Sequence, residues 1–127
     1  MHDARIGADL VDAQAFEARF AGREDALAEV FTDAELAYCR HQRRPWPHLA
    51  ARLAAKEALL KALRTGLSGP MQWRDIEVVR DPAGAPRLVV TGAVAEVLRA
   101  ERVRAASVSL SHTATHAIAV VLVVPDE

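Results

Sequence analysis

A single cysteine, Cys39, excludes an intrachain disulfide framework and a cysteine-rich zinc site. It fits a reducing compartment, with the thiol acting as an inert packing group. No stretch approaches the roughly 20 apolar residues of a membrane-spanning helix, and Asp3 and Arg5 precede the first apolar run. The expectation is therefore a cytoplasmic chain with no membrane partner. An excess of one charge is also missing: 16 Lys+Arg against 17 Asp+Glu leave −1, which disfavours a strongly basic nucleic-acid protein and an acidic disordered tail. Neither a Walker-type loop nor a GxGxxG turn occurs, which argues against a nucleotide hydrolase or a nicotinamide enzyme. Ser107, Ser109 and Ser111 lead into His112 without the glycines of a nucleophile elbow, so they read as the polar face of a strand. What remains, 127 residues of which 51% are hydrophobic, is enough for one core and predicts a single domain over 1–127.

Charge and lysine are unevenly placed. Residues 1–35 hold nine acids and three arginines, whereas residues 36–56 hold no acid at all, only Arg40, Arg43, Arg44, Arg52 and Lys56 with His41 and His48. Unless it is a solvated helix end, such a stretch is made to meet an anion. Nucleic acid fits it poorly, because Trp46 is the one stacking ring inside it. Lysine occurs only at Lys56 and Lys61, in a chain that otherwise uses arginine. A compact ammonium kept at two neighbouring sites points to work that a guanidinium fork does not do, although a Glu57–Lys61 helix pair would also account for one of them.

Arg5 to Val11 alternates as a strand, with Ile6, Ala8 and Leu10 on one face and Gly7, Asp9 and Val11 on the other. Asp12 to about Ala21 and Glu24 to Val30 read as helices. Thr32 with Glu35 has the form of a capping box, which predicts a helix from Asp33 to about Gln42. Pro45 and Pro47 end it and make Arg43 to Pro47 a stiff connector. The next helix, about His48 to Leu63, is apolar almost all round, and Ala51, Ala55, Ala58 and Ala62 form a small-residue stripe that permits close approach to a neighbour. Its polar positions fall in two rows, Glu57 with Lys61 and His48 with Arg52 and Lys56. Beyond the loop Thr65 to Pro70, Trp73 to Arg80 and Arg87 to Thr91 read as strands and Ala93 to Glu101 as a short helix. Ala106 to Leu110 and Ala117 to Val124 follow as an edge strand paired to a central one. Helices early and antiparallel strands late give an α+β class, with an N-terminal strand and helices packed on an antiparallel sheet.

A buried carboxylate needs a cation, so Glu57 calls for a partner or a metal. Asp9 on its strand and Glu57 on its helix supply two hard carboxylates, which suits Mg²⁺, and Lys56 and Lys61 add ammonium groups for phosphate oxygens. Together they describe a diphosphate site. His112 and His116 are four apart as in zinc-binding helices, but SLSHTATHA reads as strand, turn and strand, so the two imidazoles need not share a face.

IGADLVD (Ile6 to Asp12), ARLAAKEALLKAL (Ala51 to Leu63) and SLSHT (Ser109 to Thr113) resemble the three motifs of the holo-[acyl-carrier-protein] synthases, small 4′-phosphopantetheinyl transferases. The connecting text, FTDAELAYC (Phe31 to Cys39) and WRDIEVVRDPAGAPRLVVTG (Trp73 to Gly92), follows in the same order. The resemblance implies transfer of the phosphopantetheine arm of coenzyme A to a serine of an apo acyl carrier protein, releasing adenosine 3′,5′-bisphosphate, by a homotrimer with sites between subunits. It implies Asp9 and Glu57 as Mg²⁺ ligands, with Glu57 and Lys61 catalytic. Arg52, Lys56 and Lys61 would contact the phosphates of coenzyme A, and Ser111 and His112 its nucleotide end across the subunit boundary. The serine proton would go to a metal-bound water or to Glu57 through one. The acid-free stretch from Arg40 to Arg52 would face the acidic carrier. Three positions depart from the family: Ala15 replaces an arginine implicated in carrier recognition, Leu53 an aromatic, and Arg64 the glycine that ends the second-motif helix. These departures motivate an alternative, a non-catalytic trimeric member that binds coenzyme A or a carrier.

Overall fold

β1 (Arg5–Asp12) is followed by three short helices, α1 (Ala13–Phe20), α2 (Glu24–Val30) and α3 (Asp33–Arg40), and then by the long α4 (Pro45–Ala62). The second half holds β2 (Ile76–Arg80), β3 (Pro86–Val90), α5 (Gly92–Ala100), β4 (Val103–His112) and β5 (His116–Pro125). The computed structural model describes residues 3–126. Its strands form two antiparallel sheets, β1-β5-β4 and β2-β3. The first strand of the chain therefore pairs with the last, Asp9 opposite Ala119, and the class is α+β as expected.

Helix starts follow local chemistry. Asp12 ends β1 and caps α1, its Oδ1 accepting from the Gln14 and Ala15 N–H groups at 3.0 Å. Thr32 and Glu35 form the reciprocal capping box at α3. One expectation is corrected here: Pro45 and Pro47 lie inside the first turn of α4 and do not form a connector before it. The first four N–H groups of a helix have no intrahelical acceptor, so two missing donors are harmless there and the fixed φ assists the start. A second correction concerns Trp73–Asp75, which is a 3₁₀ turn leading into β2 and not part of the strand.

α4 crosses the inner face of the three-stranded sheet. Ala51, Ala55, Ala58 and Ala62 are each at most 2% exposed, and opposite them Gly7 has no room for a side chain. A Cβ at Gly7 would lie 1.9 Å from the Ala58 carbonyl oxygen and 2.7 Å from the Ala62 nitrogen. Helix and strand backbones thus touch at the residue two before Asp9. One core lies between α4, α5 and the sheets. A second gathers Phe16, Phe31 and Leu49 under α1, α2 and α3, with Phe16 and Trp46 ring centroids 5.6 Å apart. The outer face of the sheet is different: Ile6, Leu10, Ile118, Val120 and Leu122 stand exposed on it, Ile6 by 70% and Leu10 by 64%. Among the described residues no helix is long and apolar enough to cross a membrane.

Candidate active site

The close approach at Gly7 brings the inward-facing Asp9 of β1 against the exposed end of α4. Lys61 Nζ donates to Asp9 Oδ1 at 2.8 Å and to the Ala8 carbonyl at 3.2 Å. The lysine therefore pairs across the strand–helix contact and not with Glu57 one turn back, the simple helix pair weighed from the sequence. Its bond to Asp9 holds the Lys61 ammonium above its ordinary pKa. Glu57 is half-buried beside them, and no hydrogen bond or ion pair reaches it among the described residues. Burial first, and then the Asp9 charge, push its carboxyl above the usual glutamate range, while Lys61 pulls the other way. Asp9, Glu57 and Lys61 thus share one place, with two carboxylates and one cation.

Among the described residues no group of three or more His, Cys, Asp or Glu side chains is placed to hold a metal. Two carboxylates suit Mg²⁺ all the same, because it keeps water and phosphate oxygens in its remaining positions and seldom uses an all-protein cage. Glu57, without a partner among the described residues and raised in pKa by burial and then by Asp9, is the kind of group that a divalent ion would satisfy. The residues present therefore fit the ion.

Lys56 does not join them, which corrects the expected phosphate contact. It is fully buried in an ion pair with Glu35, 2.7 Å from Nζ to Oε1, and both side chains are 0% exposed. Nζ also donates to the carbonyls of Val30 at 2.9 Å and Trp73 at 3.2 Å. An ammonium has three donors, so none remains for a phosphate. Sequence reading found Glu35 only as half of a capping box. The same carboxylate accepts from Thr32 N, Lys56 Nζ and Val78 N, a second role that local spacing does not reveal.

A second cluster forms at the start of α4. His48 and His112 pack ring to ring with centroids 4.7 Å apart. Arg52, 1% exposed, donates from Nη1 to the His48 carbonyl at 3.2 Å and lies over the Tyr38 ring at 4.4 Å. Arg80 approaches the same ring at 5.4 Å. Arg52 Nε is buried with no hydrogen-bond partner among the described residues. Burial lowers the His48 pKa, and its neighbours His112, Arg52 and Arg80 lower it further, so the cluster carries positive potential. His48, Tyr38 and Arg80 were not singled out for this site by the sequence. The i,i+4 row of His48 and Arg52 was the one available hint, and nothing local points to Arg80. Ser111 is elsewhere: strand alternation turns it to the exposed sheet face opposite Ile118, away from His112 within one chain. His116 is also separate from His112, its Nδ1 lying 3.0 Å from the Thr115 hydroxyl oxygen.

The acid-free stretch is not one surface. Arg43 and Arg44 are exposed and Arg40 pairs with Glu24, but Arg52 and Lys56 point inward. Two of the family departures meet in a groove of about 300 Å³ lined by Leu10, Ala15, Phe16, Arg19, Phe20 and Leu53. The third, Arg64, has φ +59°. Cys39 is fully buried and its thiol is pushed up to about 11, so it stays protonated at neutral pH.

The sequence pattern of the 4′-phosphopantetheinyl transferase superfamily matches residues 5–121. The holo-[acyl-carrier-protein] synthase of Moorella thermoacetica is 43% identical over 117 residues, 92% of this chain and 91% of that protein. Among solved structures, the holo-[acyl-carrier-protein] synthase of Neisseria meningitidis superposes with a TM-score of 0.83 at 29% identity, covering 94% of this chain and 96% of its own. The Helicobacter pylori enzyme of the same name, solved in complex with coenzyme A, gives 0.81 at 28% identity, covering 93% and 98%.

Proposed function

The chain belongs to the 4′-phosphopantetheinyl transferase superfamily, among the holo-[acyl-carrier-protein] synthases, and we propose its reaction and site on that footing. It moves the 4′-phosphopantetheine arm of coenzyme A to a serine of an apo acyl carrier protein. The serine oxygen forms a bond to the phosphorus that carries pantetheine. The anhydride P–O bond breaks, and its electron pair leaves with adenosine 3′,5′-bisphosphate. The observation that carries this reading is the convergence of Asp9 and Glu57 beside Lys61 at the β1–α4 contact.

Asp9 and Glu57 would hold Mg²⁺. Bound there, the ion would neutralise diphosphate charge and fix the phosphates in line with the attacking oxygen. Lys61, more than half exposed, can turn from Asp9 to the phosphate oxygens and stabilise the charge that grows on the leaving group. A Glu57 carboxylate oxygen not engaged by the ion would receive the serine proton through water. His48 and His112 take the phosphorylated nucleotide end of coenzyme A, with the buried Arg52 guanidinium behind them adding positive potential. Arg43 and Arg44 supply the positive surface for the carrier.

The exposed sheet face of Ile6, Leu10, Ile118, Val120 and Leu122 supports a homotrimer, since a contiguous apolar face of that kind marks an interface. Assembly would also bring Ser111, on the same face, into the neighbour's reach. Apo carrier protein incubated with coenzyme A and Mg²⁺ is expected to gain the mass of one phosphopantetheine arm, and a chelator to prevent the gain. If coenzyme A bound equally well with and without chelator and no acidic carrier gained mass, the chain would be a binding module and the reaction proposed here would fall.

A further inference from the structure

α4 is apolar on nearly every side, and 12 of its 18 residues are buried. A helix with a single apolar stripe has its roll set by that stripe, whereas on α4 apolar patterning alone is less decisive and specific contacts carry more of the alignment. Glu57 stands on this helix and must meet Asp9 on a strand. At a side-chain radius of about 5 Å, a roll error of roughly 20° moves a carboxylate by about 2 Å. The buried Lys56, next in sequence to Glu57, has the connections to add a directional constraint to that packing.

We propose that Lys56 is a positioning residue, whose buried ion pair with Glu35 locks the roll and height of α4 so that Glu57 faces Asp9. Its three donors end on three different segments: the Val30 carbonyl closing α2, Glu35 in the first turn of α3, and the Trp73 carbonyl before β2. Three acceptors around one nitrogen fix a point in space, not merely a distance. The partner is itself anchored, since Glu35 also takes the Thr32 and Val78 N–H groups at 3.0 and 2.9 Å. Phe31, 0% exposed, closes the pocket with its ring centroid 5.4 Å from Nζ. Buried ion pairs contribute little net stability compared with apolar packing, and specifying register is their best-attested use. The second constraint on α4, the backbone contact of Ala58 and Ala62 at Gly7, sets its distance from β1 and the face it turns to the strand, and the polar lock fixes the position one residue before Glu57. The two together define where Glu57 sits.

The inference rests on the transferase reading, and its test separates the two. The double variant Glu35→Gln/Lys56→Met stays close in side-chain volume and keeps an acceptor for Val78 N while removing both charges. It is expected to keep its circular dichroism, to lose about tenfold or more in kcat, because displacements near 1 Å are that damaging, and to bind Mn²⁺ alone several-fold more weakly in calorimetry. The KM for carrier should not change. Glu35→Gln by itself should move both readouts in the same direction by less. Leu59→Ala, elsewhere in the core of α4, lowers stability without touching the lock and should retain kcat and Mn²⁺ affinity at temperatures where it is folded. A folded double variant with wild-type kcat and Mn²⁺ affinity overturns the proposal. So does a Leu59→Ala variant that loses as much, or failure of both lock variants to fold, which would leave the pair a folding role only. Should wild-type protein modify no carrier, the transferase reading fails, and the Mn²⁺ comparison still decides the lock.

Discussion

Glu57 is held in a conflict that its protein neighbours do not resolve. Burial and Asp9 both raise its pKa, so between the ordinary glutamate pKa and this raised value the folded state binds more protons than the unfolded chain. Stability contributed at this position is therefore lost as pH rises through that window, and above it the whole penalty is present. Glu57→Gln removes the penalty. Without divalent ions, thermal melts should show the variant at least as stable as wild type near neutral pH, with the difference closing as the buffer is acidified below the ordinary glutamate range. The same change should lower transfer activity on the order of 100-fold, the scale of one lost electrostatic partner at a reacting phosphate. A variant less stable than wild type at neutral pH would show that Glu57 has a stabilising partner after all. The chemistry of Asp9, Glu57 and Lys61 was legible because each is an unusual residue in its local pattern: an acid on an apolar strand, an acid in an apolar helix, one of two lysines. Lys56 satisfied the same criterion and yet belongs to the interior. Spacing along a helix says which face a side chain takes, but not whether that face meets solvent or a buried carboxylate 21 residues earlier.

Elements were legible wherever their ends carry their own signals. The capping box at Thr32 and Glu35 and the Asp12 cap are local hydrogen bonds, so sequence suffices for them. The start of α4 was misplaced because proline excludes itself from helix interiors but not from a first turn, and the sequence does not mark where the first turn begins. The other end of α4 shows a device of this chain. Arg64 N donates to the Lys61 carbonyl and Thr65 N to the Leu60 carbonyl, both at 3.0 Å, which is the paired Schellman closure with the left-handed residue at Arg64. An arginine there carries a Cβ penalty of about 1 kcal/mol that glycine escapes. Arg64→Gly is expected to raise Tm by a few degrees, tempered by the freer unfolded chain. If the arginine is only a tolerated cap, the KM for coenzyme A stays as it was. A melting point that fell would mean the Arg64 side chain makes stabilising contacts larger than its strain.

The molecule as a whole presents one sheet with two apolar faces, and only one of them is used within the chain. Sequence alternation in β1 put Ile6, Ala8 and Leu10 together, and the unbroken run of β5 read as a central strand, which it is. That β1 would pair with β5, more than 100 residues away in the chain, has no local signature. It follows from closing a sheet whose other edge is β4. The pairing aligns Ile6 with Leu122 and Leu10 with Ile118, so two half-apolar strand faces become one exposed apolar surface, while β4 adds Ser107, Ser109 and Ser111 beside it. Val120, at 40% exposure, lies midway along that surface on the central strand. Placing a charge there is tolerated in water but not in a packed interface. Val120→Asp should therefore leave the fold intact by circular dichroism and convert the assembly to monomers in analytical ultracentrifugation. Transfer should fall at least tenfold, because Ser111 would no longer be brought to a neighbour's nucleotide site. An aspartate variant that still sedimented as a trimer at full activity would place the subunit contacts on another surface, and the apolar face would need a different occupant.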